Sequence, residues 1–233
     1  MAKKKTTSSG DERLENIGTS LSKAELFIEK NKNIIAYVIG GIALVILGIW
    51  GYNHFIKAPK AQKASEEMFV AQIYYEMDSL DLALNGDGNN AGFLEILDNY
   101  RHTPSGNLAH YYVGMIYLKK NQFEDAIDEL KKFDGKDDII GPMATGCIGD
   151  AYMELDNKEE ALKYYIKAYK SSENSFTTPM YLMRAAWVHE DLGEWDKALK
   201  LYEKIRDEYK KSYEGNEINK YIARAKANIT NEK

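Results

Sequence analysis

The sequence predicts an all-α chain with a single N-terminal transmembrane helix followed by a solenoid of helical hairpins. Three observations carry this. Residues 34–52 (IIAYVIGGIALVILGIWGY) form an uncharged, apolar run. From residue 106 onward a small residue, an aromatic and an alanine recur at fixed spacing. Aromatics are plentiful (17 Tyr, 7 Phe) and prolines few (4), so 233 residues hold enough apolar material for a packed core.

The apolar run is long enough. At about 1.5 Å per residue it just crosses a hydrocarbon core of about 30 Å. Tyr37, Trp50 and Tyr52 lie toward its ends, where aromatic rings favour the interface. Lys30 and Lys32 flank one side, Lys57 and Lys60 the other. The run is longer than a signal peptide's core, and Asn53, His54 and Phe55 follow it in place of a small-residue cleavage site. The expectation is an uncleaved anchor over residues 34–56.

Orientation rests on charge. Within about 20 residues of the span the lysines on the two sides are tied. Lys3, Lys4, Lys5 and Arg13 break the tie toward a cytoplasmic N-terminus. The C-terminal body then lies outside the cytoplasm, which in a bacterium means an inner-membrane protein with a periplasmic domain. Within the span, Ala36 and Gly40 form a small-xxx-small pair, and Gly41, Gly48 and Gly51 add further small positions. These would allow packing on another membrane helix, although glycine is common in spans without such a role.

Residues 1–33 read as the cytoplasmic tail. Residues 1–13 (MAKKKTTSSGDER) are polar and expected to be disordered. Leu14, Ile17, Leu21, Ala24 and Ile28 then recur at helical spacing, which fits either a short interfacial helix or a solvated lead-in.

After the anchor, residues 57–104 read as a degenerate hairpin. Pro59 suits a first helical turn, and Phe69, Ile73, Met77 and Leu80 mark its apolar face. The run Asn85-Gly86-Asp87-Gly88-Asn89-Asn90 ends that helix, a shorter one spans about 91–100, and Pro104 closes it. As a calcium loop the run fails twice: Asn90 stands where glycine is needed and Ile96 where the bidentate glutamate belongs.

Residues 105–212 carry three repeats. Gly114 is followed by Tyr117, Ala126 and Leu130; Gly149 by Tyr152, Ala161 and Tyr165; Ala186 by His189, Ala198 and Tyr202. Turn-like segments, Lys120-Asn121-Gln122, Asp156-Asn157-Lys158 and Leu192-Gly193-Glu194, sit between the two halves of each copy. Extra residues near 172–175 lengthen the last interval. The pattern resembles the tetratricopeptide repeat (TPR), a period-34 helical hairpin whose copies stack into a curved solenoid. Residues 213–233 supply a capping helix, NEINKYIARAKANI, with Gly215 ending the helix before it.

The resemblance also implies a binding face. In such domains the first helix of each hairpin lines the concave groove. Those positions here are Leu108, Tyr111, Met115 and Leu118; Met143, Asp150 and Met153; and Met180, Met183, Trp187 and Glu190. Five of the eight methionines fall in this set, and methionine recurs on surfaces that accept varied partners. Packing between hairpins is the competing reading for the same residues. Tyr111 and Met115 occupy the places where Lys and Asn clamp the carboxylate tails of cytosolic heat-shock chaperones, so that clamp is absent.

No catalytic, nucleotide or metal motif accompanies the repeats. His54, His102, His110 and His189 make no metal spacing with Cys147, which reads as a small core residue. A net charge of −5 without a basic stripe gives nucleic-acid binding no support. The expected protein is non-enzymatic and needs no cofactor.

The layout as a whole is similar to the YfgM-type membrane-anchored TPR proteins of bacteria. The segment from Gly106-Asn107-Leu108 through Ala126 is similar to such proteins in Bacteroidota. That resemblance implies an accessory subunit of the Sec translocon channel (SecYEG). Its implied partners are a PpiD-type periplasmic chaperone, nascent or unfolded polypeptide, and the lipid bilayer. A scaffold for another cell-envelope machine is the alternative, and a cytosol-facing organelle receptor a third.

Overall fold

The structure is a computed structural model that describes the backbone over residues 9–231 and the side chains over residues 25–230. It divides into two units, residues 1–59 and 60–233, each with its own organisation.

In the first unit, helix α1 spans Ser9–Tyr52 and a π-helical turn spans Asn53–Lys57. Residues 9–13, expected to be disordered, belong to α1, while 1–8 lie outside the described residues. The same holds for the side chains of Leu14, Ile17, Leu21 and Ala24; Ile28 is exposed. From Ile34 to Trp50 the large apolar side chains other than Ile35 lie bare, with Leu44 72% and Val45 61% exposed. Among the described residues, nothing beyond the surrounding turns of their own helix comes within 4 Å of the space a side chain would take at Gly40, Gly41, Gly48 or Gly51. A bare face of this kind is unfavourable in water at about 25 cal/mol per Å² and favourable in hydrocarbon. At the end of the run Trp50 stacks on His54 at 5.3 Å, and Phe55 meets both rings edge-on. Amphipathic rings gathered at one depth are what an interfacial belt requires.

The second unit is a succession of helical hairpins. Its elements are α2 (Ala58–Glu76), α3 (Leu80–Asn85), α4 (Phe93–Tyr100), α5 (Pro104–Lys119), α6 (Phe123–Lys132), α7 (Ile140–Glu154), α8 (Lys158–Ser171), α9 (Thr177–Asp191), α10 (Trp195–Glu208), α11 (Tyr213–Asn216) and α12 (Ile218–Asn231). The three predicted hairpins are α5/α6, α7/α8 and α9/α10. In all three the repeat alanines Ala126, Ala161 and Ala198 have no exposed surface. A Cβ on Gly114 would lie 2.5 Å from the Leu130 side chain, and one on Gly149 would lie 2.7 Å from the Tyr165 ring. The small residues therefore let the paired helices close, as the spacing predicted.

The turns share one geometry. Asn121, Asp156 and Gly193 take left-handed φ values of 60°, 53° and 72°. One residue later the amides of Gln122, Asn157 and Glu194 donate to the carbonyls of Tyr117, Tyr152 and His189 at 2.8–2.9 Å. This bond, five residues back, satisfies a carbonyl that the helix end leaves free.

The first hairpin obeys the same rule, which the sequence pattern did not reveal. Asp78 is left-handed at 56°, and the Ser79 amide donates to the Tyr74 carbonyl at 2.9 Å. Ala71 and Ala83, both without exposed surface, stand where Gly114 and Ala126 stand in the next copy. The second helix of this hairpin is thus split into α3 and α4 by an insertion at 86–92. Three expectations change accordingly. The helix after the anchor ends at Glu76, not at the glycine-rich run. The shorter helix begins at Phe93, not near 91. Pro104 opens α5 as its first residue, with the Thr103 hydroxyl accepting from the Gly106 amide at 3.1 Å. The apolar face is corrected too. Ala64, Met68 and Ala71 are buried, whereas Phe69 (62%), Met77 (69%) and Ile73 (37%) are exposed. Leu80, the fourth residue of the predicted face, does pack against the core of this hairpin; close helix approach selects small residues elsewhere, so Phe69, Ile73 and Met77 face away.

Asp87 organises the insertion. Its carboxylate accepts from the Tyr74 hydroxyl at 2.6 Å, from the Asn89 and Asn90 amides at 2.8 and 2.7 Å, and from the Asn90 side chain at 2.8 Å. These donors, the Tyr74 hydroxyl foremost, hold its carboxyl well below the usual aspartate range. A depressed carboxyl contributes order above its unfolded pKa and loses it as pH falls through the folded value. The Asn89 and Asn90 amides are therefore expected to keep their exchange protection at pH 4 and lose it only in stronger acid. Asp87→Ala should lose it at every pH, as amide exchange by NMR would register.

Cores join neighbours in series. Ile127 and Leu130 of α6 meet Ala144, Cys147, Ile148 and Ala151 of α7. Ala161, Tyr165 and Ala168 of α8 meet Tyr181, Ala185 and Val188 of α9. Ala198, Tyr202 and Ile205 of α10 meet Ile218, Ile222 and Ala225 of α12, which caps the stack. This nearest-neighbour pattern is that of a solenoid. Gly215 does not end α10, which stops at Glu208; it lies inside α11, where a Cβ would come within 2.4 Å of the Tyr209 carbonyl. Cys147 is buried as expected, and burial, with Asp150 nearby, pushes its thiol up to about 12.

Candidate functional site

The eleven groove positions fall on α5, α7 and α9, the first helices of their hairpins. Their surroundings differ along the stack. Tyr111, Met115 and Leu118 pack against the α6/α7 core, and Leu108 against the core of the first hairpin. Tyr111 lies 5.7 Å from both Tyr112 and Phe133. Met153 and Met180 pack against the α8/α9 core while keeping part of their surface free. Met183 is 5% exposed and belongs to the core of the last hairpin. Trp187 is the most open, at 45%.

Both acidic groove positions are engaged. Asp150 pairs with Arg184 and also accepts from the Tyr165 hydroxyl at 2.7 Å. Burial, followed by the Asp150 charge, raises the Tyr165 hydroxyl well above its ordinary range. Arg184 lies over the Tyr181 ring at 5.5 Å. Glu190 pairs with Arg224 of the capping helix. Arg224 in turn covers the Tyr221 ring at 5.1 Å, which lies 6.3 Å from Trp187.

Two hollows adjoin Trp187. One, of about 490 Å³, is lined by Met180, Met183, Arg184 and Trp187 from α9 and by Tyr213, Glu214, Asn216, Glu217 and Tyr221 from the C-terminal cap. The other, of about 440 Å³, is lined by Asp150, Met153, Glu154, Tyr165, Arg184, Trp187, Val188 and Asp191. They share Arg184 and Trp187. The structure thus brings Asp150, Met153, Met180, Met183 and Trp187 together, and keeps Leu108, Tyr111, Met115, Leu118, Met143 and Glu190 out of these linings. Sequence reasoning missed Arg184 and the cap residues Tyr213, Glu214 and Tyr221. The i+3 step from Tyr181 to Arg184, one turn along the helix, was the available signal.

Comparison with known proteins agrees with this geometry. The tetratricopeptide-repeat family model matches residues 148–213. A TPR repeat-containing protein of Methanocaldococcus jannaschii is 26% identical over 136 residues, which is 58% of this chain and 22% of that protein. The chain therefore matches about a fifth of that relative's length. A crystal structure of MamA superposes with a TM-score of 0.51 at 21% identity, covering 71% of this chain and 91% of that one. TPR-like repeats of a Podospora anserina kinesin light chain do so with a TM-score of 0.54 at 13% identity, covering 73% and 88%. At these identities the likeness is one of fold. Residues 60–231 fold as a solenoid of TPR-like helical hairpins, and the tetratricopeptide-repeat match itself lies within 148–213.

Proposed function

We propose that this chain is a non-enzymatic, membrane-anchored adaptor that holds polypeptide partners beside the Sec translocon. In this reading residues 1–33 are cytoplasmic, 34–56 span the inner membrane, and the repeats face the periplasm. The groove on α5, α7 and α9 receives a PpiD-type chaperone or polypeptide emerging from SecYEG. The reading rests on one juxtaposition within a single chain. An apolar helix has no burial across its most hydrophobic window, and the repeat domain that comes after it leaves a tryptophan open between two hollows. The tail's excess of Lys and Arg and the layout shared with YfgM-type proteins support the orientation and the partner.

The test is photo-crosslinking in intact cells from a reactive residue in place of Val45, which is 61% exposed within its unit. The expected product is a crosslink to the channel. Capture of one unrelated envelope protein would replace the translocon with another envelope machine.

A further inference from the structure

The two hollows beside Trp187 say something about what enters them. Of the charged side chains in their linings, five are acidic (Asp150, Glu154, Asp191, Glu214 and Glu217) and one, Arg184, is basic. Arg184 is held by Asp150. A partner's carboxylate therefore finds no free cation there. Asp191 and Glu217 lean on Lys158 and Lys220, which lie outside the linings. Among the described residues, Glu154 and Glu214 enter no ion pair. They stand in different hollows, with Trp187 common to both. Trp187 and Met180 give the floor an aromatic and thioether surface that accepts bulky apolar side chains, while the Tyr221 ring beside them is faced by Arg224 and Lys220, which Glu190 and Glu217 hold.

We infer that this site takes an extended polypeptide segment of another protein in which a large apolar side chain lies next to lysine or arginine. The apolar side chain seats against Trp187, and the cations face Glu214 on one side and Glu154 on the other. The cap thereby becomes a wall of the site as well as the end of the stack. This deepens the proposed function and rests on its assignment of the groove to polypeptide partners. It departs from the acidic-tail recognition of carboxylate-clamp domains, because the charge sense is reversed.

The test uses the full chain in phosphatidylcholine nanodiscs, with empty nanodiscs subtracted, and fluorescein-labelled decapeptides read by anisotropy. The reference peptide alternates lysine and leucine; one analogue replaces its lysines by glutamate and another its leucines by serine. Each analogue is expected to bind at least tenfold more weakly. Trp187→Ala should weaken the reference peptide about tenfold. Glu214→Lys with Glu217→Lys, the first half-buried and the second exposed, should weaken it several-fold and flatten its salt dependence. Equal affinity for the lysine and glutamate peptides would overturn the inference, as would indifference to Trp187→Ala. So would self-association in detergent micelles that needs Trp187 and that the lysine peptide does not compete away. None of these results bears on the Val45 crosslink, so the translocon reading and this one fail separately.

Discussion

Gly146→Ala is expected to destabilise the repeat domain by about 1–3 kcal/mol, the usual range for overpacking a core. The sign is the informative part. Gly146 sits inside α7, where alanine is ordinarily better than glycine by about 1 kcal/mol. Here a Cβ would lie 1.9 Å from the ring of Tyr181, which is 1% exposed and whose hydroxyl donates to the Met143 carbonyl at 3.2 Å. Neither the ring nor the helix can give without opening the junction between α7 and α9. In a Tyr181→Ala background the obstacle is gone, and Gly146→Ala should become neutral or stabilising. Urea denaturation of the four variants reads this as a double-mutant cycle. A stabilising effect of Gly146→Ala alone would mean that the hairpins do not close as described.

Phe93→Ala should cost about 3–5 kcal/mol, the range for emptying a buried aromatic site. Phe93 has no exposed surface, stacks on Tyr112 at 4.8 Å, and is the first residue of the helix that resumes after the insertion. Its loss removes the anchor of α4 on α5 along with apolar area. Because solenoid cores are coupled through neighbours, the loss should appear first in the N-terminal hairpin. Amide exchange is expected to speed up in α3 and α4 while α9 and α10 keep their protection. Uniform loss across the domain would show tighter coupling than this nearest-neighbour packing gives.

The three C-terminal hairpins were legible because their determinants are local. Gly114 with Ala126, and Gly149 with Ala161, mark where helices touch, and the fixed offset between them survives in one dimension. The first hairpin carries the same marks at Ala71, Tyr74 and Ala83. They went unseen because the insertion at 86–92 shifts α4 out of the repeat spacing and because alanine stands in for the first glycine. The stripe Phe69, Ile73 and Met77 misled for a physical reason: size was read as burial, whereas close packing here favours small side chains. The groove was only partly legible. First-helix positions could be counted off, but Met183 is buried in the last core while Trp187, four residues on, stands open. The contribution of Tyr213, Glu214 and Tyr221 depends on how the cap folds back toward α9, and periodicity carries no trace of it.

The central claim is that the surface around Trp187 receives polypeptide. It is tested most directly by placing a photo-reactive residue at 187 in the full-length protein in living cells. Phe176, 60% exposed, outside both Trp187 hollows and on the same domain, is the control position. The account predicts covalent protein adducts from 187 and few from 176. Equal yields from the two positions, or none from 187, would contradict it.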